Sequence, residues 1–218
     1  MSFNDETPVG QPAATDIPEV AEPPAVTSST PARRRPRNRG REWAILAVLT
    51  VAFTLLLRTF IVQTYVIPSG SMETTLNGCT PSCNNDRILV DKLSYKLHSV
   101  HRGDIVVFQA TGRWIQVVGG KKDIVKRVIG LPGDTVSCCN AGRVVRNGVP
   151  LTEPYVYPAG QANTSFAPFT VPKGQLWVMG DHRNASSDSR FNGTVPISSV
   201  VGHAFLRVWP ISRIHTLS

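Results

Sequence analysis

The sequence predicts an all-β fold of antiparallel sheets, preceded by one transmembrane helix and a disordered tail. Two observations predict the sheets: short runs of β-branched and aromatic residues, and an Asn147-Gly148 pair between apolar residues, which is typical of a tight hairpin turn. The runs lie at 103–108, 123–131, 175–181 and 203–211. Apart from one apolar segment near the N-terminus, no long stretch has helical periodicity, so sheets are expected to build the core. The segment 157–169 is expected to be an exposed loop.

The first 42 residues differ in composition from the rest. Residues 1–32 contain five acidic residues, no Lys or Arg, and many Pro and Ala, and such a segment buries too little apolar surface to fold. Six arginines follow between Arg33 and Arg41. A basic run can bind nucleic acid, but the apolar segment that comes next favours a membrane instead. We therefore predict a disordered cytoplasmic tail over residues 1–42, ending in a basic run, and no nucleic-acid partner.

Residues 43–62 are predicted to form a transmembrane anchor. Trp43 to Leu57 is an uncharged, mostly apolar stretch, and about 20 helical residues span a hydrocarbon core. Arginines before it would hold the N-terminus in the cytoplasm. A cleavable signal peptide is the alternative, but no small-x-small site follows the apolar segment. The sequence thus predicts a single-pass protein of the plasma membrane, with the lipid bilayer as a partner and residues 63–218 as an extracytoplasmic β-rich domain.

Lys126 is a candidate general base. Five histidines are present, but no Gly-x-Ser-x-Gly motif frames a serine for a conventional triad. A lysine base must have its pKa lowered by burial from about 10.4 toward roughly 7 to 8. Lys126 and Arg127 fall on opposite faces of the predicted strand 123–131, each among β-branched residues, and only a lysine can lose its proton in a protein. The alternative is a lysine whose side chain reaches solvent at a sheet edge.

Ser71 is the candidate nucleophile. It lies in "IPSGSM", residues 67–72, shortly after the predicted anchor. Pro68 favours an extended or turn entry, and Gly70 lets the backbone approach another chain closely. The hydroxyl of Ser69 could contribute to an oxyanion hole. Alone, such a turn is more often a loop than an active site, and the combination with Lys126 is what makes it a candidate.

These features resemble those of type I signal peptidases, the membrane-anchored Ser/Lys proteases that remove signal peptides from exported proteins. The resemblance covers most of the chain after residue 42 and consists of separate blocks in the family's order. Each block is weakly specific, but all of them in this order are very specific. They are the basic-flanked anchor, "IPSGSM" at 67–72, "GDIVVF" at 103–108, "DIVKRVIGLPGD" at 123–134 and "MGDHRNASSDSR" at 179–190.

The resemblance implies a role for each matching residue. Ser71 would be the nucleophile and Lys126 the general base. The Ser69 hydroxyl and the Ser71 amide would form the oxyanion hole, and Ser186 would hydrogen-bond and orient the lysine. Charged positions of the last block would support the site, and they are Asp181, Arg183, Asp188 and Arg190.

Two positions depart from the family's pattern. His182 stands where Asn is usual and is interpreted as a tolerated polar substitute, not as a triad histidine. Thr74 replaces a frequent Pro, which concerns only the local turn. The acidic, Pro-rich tail is not part of the family's core. The Arg-rich, Lys-free basic run suits a high-GC Gram-positive bacterium.

The implied function is that of a serine endopeptidase that cuts after small-x-small sites through an acyl-enzyme. Its partners would be preproteins with signal peptides, docked by strand addition, and indirectly the secretion translocase. No cofactor or metal is expected. A self-cleaving repressor-type protease uses a related Ser/Lys pair, but the anchor argues against it. A non-catalytic membrane-anchored adaptor, which would need neither Ser71 nor Lys126, stays open as the alternative.

The four cysteines are candidates for disulfides. An even count in an exported domain allows three pairings of Cys79, Cys83, Cys138 and Cys139. A bridge between the adjacent Cys138 and Cys139 would strain the peptide that joins them, so pairing across the two groups is attractive. The spacing matches zinc sites poorly.

Overall fold

A computed structural model describes residues 39–79, 84–118, 120, 122–158 and 164–217. The helices in this part of the chain are α1 (Arg39–Phe60), α2 (Ser94–Leu97), α3 (Arg113–Val118) and α4 (Ser189–Asn192). The strands are β1 (Val62–Val66), β2 (Arg87–Asp91), β3 (Ile105–Gln109), β4 (Asp123–Gly130), β5 (Thr135–Asn140), β6 (Arg143–Arg146), β7 (Val149–Pro150), β8 (Phe166–Thr170), β9 (Gln175–Met179), β10 (Val195–Pro196), β11 (Val200–Trp209) and β12 (His215–Thr216). The predicted antiparallel, mostly β architecture is confirmed.

Helix α1 covers most of the predicted anchor. It ends at Phe60 and β1 begins at Val62, so the predicted anchor boundary at residue 62 falls inside the first strand. The side chains of residues 39–55 are all exposed, including eight large apolar ones. Within the described residues, no helix has both the length and the apolar character that a membrane span requires. Residues 1–38 of the predicted disordered tail lie outside the described residues, and residues 39–42 of it are helical, because α1 begins at Arg39.

The larger sheet carries β4 near its middle. Its strand order is β1-β2-β11-β3-β4-β9-β10, with β12 paired to β11. Strand β3 pairs with β4 from Asp123 to Arg127, whereas β9 pairs with it only from Arg127 to Gly130. Among the described strands, residues 123–126 of β4 therefore pair on one side only, and the edge strand β1 likewise pairs only with β2. Two strand edges are left available for hydrogen bonding.

The smaller sheet has the order β7-β6-β5-β8. Asn147 and Gly148 connect β6 to β7 with positive φ angles of 53° and 80°, which confirms the predicted hairpin. The expected loop over 157–169 is wrong at its C-terminal end, because β8 begins at Phe166 and pairs with β5. Strand β8 lies at the edge of the sheet, where a strand tolerates a proline such as Pro168. Residues 159–163 of the expected loop lie outside the described residues.

The cysteines do not pair across the two groups as expected. A disulfide joins Cys138 to Cys139 at the end of β5. Cys138 packs in the apolar cluster of the smaller sheet. Cys79 lies in the connection between the Ser71 turn and β2, a strand of the larger sheet, and the Cys79 N–H donates to Asn85 Oδ1. Cys79 is also disulfide-bonded, and Cys83 lies outside the described residues. No group of three or more His, Cys, Asp or Glu in the described chain could hold a metal ion.

Three apolar clusters cover both faces of β4. Ile124 and Val128 pack in one cluster with residues of β3 and β9, Val125 lies against a second, and Ile129 belongs to a third that includes the smaller sheet. This cover buries both cations of the strand. Lys126 is 4% exposed and Arg127 is 1% exposed.

Candidate active site

Ser71 and Lys126 form a buried pair. Lys126 Nζ donates a hydrogen bond to Ser71 Oγ at 2.7 Å, although 55 residues separate them in sequence. Ser71 is 8% exposed. Ser69 Oγ lies 3.4 Å from Ser71 Oγ. The structure therefore brings together the three residues that the sequence names as nucleophile, base and oxyanion-hole contributor.

Burial changes the acid–base character of Lys126. The side chain lies inside the sheet, and burial, which penalises the charged form, lowers its pKa from 10.5 to about 8. The carboxylates of Asp188 and Asp181 oppose this shift, and Arg190 adds to it. A lysine in this environment is partly deprotonated at mildly alkaline pH. It can therefore act as a base on the hydroxyl that it contacts.

Ser71 is held in a short 3-10 turn, Gly70–Met72. Met72 is 1% exposed and packs in an apolar cluster with Ile67 and Leu76, which anchors the turn on the larger sheet. The backbone N–H of His182 donates to the Ser71 carbonyl oxygen at 3.1 Å. The block that contains His182 thus fixes the peptide of the candidate nucleophile.

Two glycines allow the backbone to approach the serines. A Cβ at Gly180 would overlap the Ser71 carbonyl oxygen and the Ser186 hydroxyl. A Cβ at Gly78 would overlap the backbone of Ile67 and Ser69. Neither glycine was singled out in the sequence, because nothing in it shows what lies against their α-carbons.

Asp181 supports the opposite face of β4. Both of its carboxylate oxygens accept from Arg127, at 2.9 Å each, and Thr75 Oγ1 donates to Asp181 Oδ2 at 2.6 Å. The Arg127 guanidinium also lies 3.9 Å from the centre of the Tyr155 ring. Since Thr75 follows the Ser71 turn, this network connects that turn to the strand that carries Lys126.

Ser186 is not hydrogen-bonded to Lys126 in the described structure, although the resemblance implies this bond. Ser186 Oγ instead donates to Asp188 Oδ2 at 2.8 Å. That carboxylate is fully buried and also accepts from Arg190 and from the Gly180 N–H. The strong buried acceptor explains why the Ser186 proton points away from the lysine. The hydroxyl oxygen retains its acceptor capacity.

Arg183 has a partner that sequence reasoning missed. Its guanidinium donates to both carboxylate oxygens of Glu153, at 3.0 and 2.6 Å, and to the Gly180 carbonyl at 2.9 Å. Burial alone would lower the pKa of Arg183, but the hydrogen bonds and the negative charge of Glu153 raise it, so that the pKa is raised overall. Glu153 lies 30 residues earlier, outside the blocks that carry the resemblance, and no sequence signal links it to the site.

His182 lies to the side of the Ser71–Lys126 pair. Its ring stacks on Tyr157 at 4.2 Å, and its Nδ1 lies 3.2 Å from Glu73 Oε2. These contacts agree with its interpretation as a polar substitute. The peptide bond between Glu73 and Thr74, at the position where Pro is frequent, is cis.

A groove of about 440 Å³ opens onto Ser71 and Lys126. The unpaired edges of β1 and of residues 123–126 of β4 contribute to its walls, and α3 contributes a third side. Its apolar lining includes Val66, Val117 and Val118. The groove can hold an extended peptide next to the buried pair.

Comparisons with known proteins place the chain in one family. The model "Signal peptidase, peptidase S26" matches residues 40–209. The signal peptidase I of Mycobacterium tuberculosis is 38% identical, over 92% of this chain and 83% of that protein. A probable signal peptidase I of Mycobacterium leprae is 36% identical, over 91% and 86%. A solved signal peptidase I from Enterococcus faecalis is 32% identical, with a TM-score of 0.38 over 48% of this chain and 96% of that one. The mycobacterial relatives agree with the expected high-GC Gram-positive origin.

Proposed function

Because this chain belongs to the signal peptidase family, peptidase S26, we propose that it is a serine endopeptidase that removes signal peptides from exported preproteins. The observation that carries the proposal is the buried 2.7 Å contact between Lys126 Nζ and Ser71 Oγ. An adaptor has no need for a desolvated lysine next to a serine at the end of a groove. Because the pKa of Lys126 is lowered, this lysine can accept the proton of the serine hydroxyl that it contacts.

The proposed reaction begins with a proton transfer. Neutral Lys126 accepts the proton of Ser71 Oγ while that oxygen attacks the scissile carbonyl. The Ser71 N–H and the Ser69 hydroxyl stabilise the negative charge on the carbonyl oxygen. The protonated lysine then gives its proton to the leaving amine, which releases the mature protein. Water, deprotonated by Lys126, hydrolyses the ester on Ser71 and releases the signal peptide.

The substrate binds in the groove as an added strand. Backbone groups at the free edges of β1 and β4 are available to an extended peptide, and this mode places the scissile carbonyl next to Ser71. The charged residues of the block 179–190 act by positioning. Asp181 binds Arg127 of β4 and Thr75 after the Ser71 turn. Arg190 holds the Asp188 carboxylate, and Arg183 holds the Gly180 carbonyl. Ser186 acts on the lysine indirectly, because it hydrogen-bonds Asp188, whose negative charge raises the pKa of Lys126.

The proposed setting is the plasma membrane. Residues 43–62, the segment that the sequence predicts as an anchor, serve as a single-pass anchor with the N-terminus in the cytoplasm and the β-rich domain outside. Large apolar side chains are exposed in the described part of this segment, and arginines precede it. A short connection from α1 to β1 keeps Ser71 near the bilayer, where the end of a signal peptide emerges. The bilayer and, indirectly, the translocase are the proposed partners.

The test is cleavage of a synthetic precursor with an Ala-x-Ala site by the full chain in detergent. We expect Ser71→Ala and Lys126→Met to abolish turnover while thermal unfolding stays cooperative. Ser198→Ala and Lys173→Met are matched controls, because both residues are exposed and neither lines the groove. Turnover that survives either substitution in the pair would refute the Ser/Lys assignment. A folded wild type that cuts nothing would leave the non-catalytic adaptor as the better function.

A further inference from the structure

Helix α3 lies in the connection between β3 and β4. The Ala110 N–H donates to the Lys122 carbonyl at 2.9 Å, which closes the base of this connection. Trp114 fixes the helix: it is 2% exposed and packs edge to face on Phe108, with the ring centres 5.0 Å apart. Helix α3 is therefore a packed part of the domain, and its side chains are held in defined positions.

The free side of α3 faces the groove. Val117 and Val118 line it together with Ser71 and Lys126, and Val66 of β1 lines it as well. Val117 is 45% exposed and Val66 is 53% exposed. Apolar side chains that are exposed inside a groove gain free energy when an apolar ligand covers them.

Counting along β4 locates α3 relative to the scissile bond. If the substrate strand runs parallel to β4 and its last residue before the cut lies opposite Lys126, its fourth residue before the cut lies opposite Asp123 and its fifth opposite Lys122. Both Asp123 and Lys122 line the groove together with Val117 and Val118 of α3. The helix therefore lies next to the substrate residues beyond the small-x-small site.

We propose that Val117 and Val118 of α3 form a wall of the groove that selects an apolar residue at the fourth or the fifth position before the cut, whichever of these two alternating side chains faces the helix. The inference rests on the proposed function and narrows its substrate class. Signal peptides carry their apolar segment on this side of the cut, whereas the residues after the cut belong to the exported protein and have no common chemistry. The apolar wall therefore matches the apolar segment of a signal peptide.

The experiment compares two synthetic precursors with the same Ala-x-Ala site, with Leu or with Lys at the fourth and fifth positions before it. For Val117→Asp we expect kcat/KM for the Leu precursor to fall about tenfold and that for the Lys precursor to rise, mainly through KM, while the pH profile of kcat stays unchanged. Gln116→Asp is the matched control, because it puts the same charge on an exposed neighbouring residue that does not line the groove. It should leave the preference unchanged.

Several outcomes would overturn the inference. One is a Val117→Asp enzyme that changes both precursors equally, and another is an equal change of preference in Gln116→Asp. If Val117→Asp does not fold, Val117→Ser, which adds no charge, provides the test instead. It should lower kcat/KM for the Leu precursor only. A wild type that cuts both precursors equally would refute the wall but keep the peptidase. A wild type that cuts neither would refute the proposed function itself.

Discussion

The backbone of Gly180 lies against the carbonyl oxygen of Ser71, with no room for a Cβ between them. The same glycine donates its N–H to Asp188 Oδ2 at 3.0 Å, and its carbonyl accepts from Arg183 Nε at 2.9 Å. One residue thus joins the candidate nucleophile to the charged block that surrounds it. The position of Ser71 depends on the absence of a side chain at residue 180.

Gly180→Ala is therefore expected to reduce turnover strongly. The added methyl group must displace the Ser71 peptide, Ser186 or both, and a shift of about 1 Å at a reacting group can cost roughly 100-fold in rate. Overpacking should also lower the free energy of unfolding by about 1–3 kcal/mol. Cleavage rates and thermal unfolding would measure the two effects separately. Gly40→Ala is the control, since a Cβ there meets nothing within 4 Å, and equal activity of the two variants would contradict the close contact.

Activity should rise with pH through the pKa of Lys126. Its neutral form is the base, and its pKa of about 8 means that the lysine is mostly protonated at lower pH. We expect kcat/KM to fall about tenfold per pH unit below pH 8 and to level off above it. Rates measured between pH 6 and 10 on a short precursor give the profile. A rate that is flat across this range would show that the step governing turnover does not need a deprotonated Lys126.

The same pKa predicts how Lys126 affects stability. Between pH 8 and 10.5 the unfolded chain keeps a proton on this lysine that the folded chain has lost, so the lysine makes folding more favourable as pH rises through that window. Below pH 8 the cost of burying the charge is present in full, on the order of 3 kcal/mol. The stability advantage of Lys126→Met over the wild type should therefore shrink between pH 8 and 10.5.

Denaturant unfolding at several pH values would measure this change, because other titrating groups are common to both proteins. A Lys126→Met difference that stays constant over this range would mean that the lysine titrates alike in the folded and unfolded states.

The sequence predicted the elements of the site better than their connections. Local patterns predicted three features. A β-branched run predicted the strand 123–131, the turn residues predicted the hairpin at Asn147, and the motifs predicted the candidate pair Ser71 and Lys126. Contacts between distant residues were not predictable. Neither the Ser186 contact to Asp188 nor the disulfide between Cys138 and Cys139 was expected, because each depends on which groups the folded sheets bring together.

The Arg183–Glu153 ion pair offers the sharpest test of such a long-range contact. Both side chains are nearly inaccessible, at 2% and 7% exposure, so removing one partner leaves a buried charge unpaired. We expect Arg183→Met to lower the free energy of unfolding by about 3–5 kcal/mol. The double variant Arg183→Met with Glu153→Gln should regain part of this loss, because no buried charge is then left alone, and a double-mutant cycle from denaturant unfolding gives the coupling.

The Arg102–Asp134 pair is the comparison, since Arg102 is 45% exposed and water can solvate it when its partner is removed. Additive effects of the two substitutions at 183 and 153 would mean that the pair contributes no specific coupling. In that case Arg183 would stabilise the site through its hydrogen bond to the Gly180 carbonyl alone.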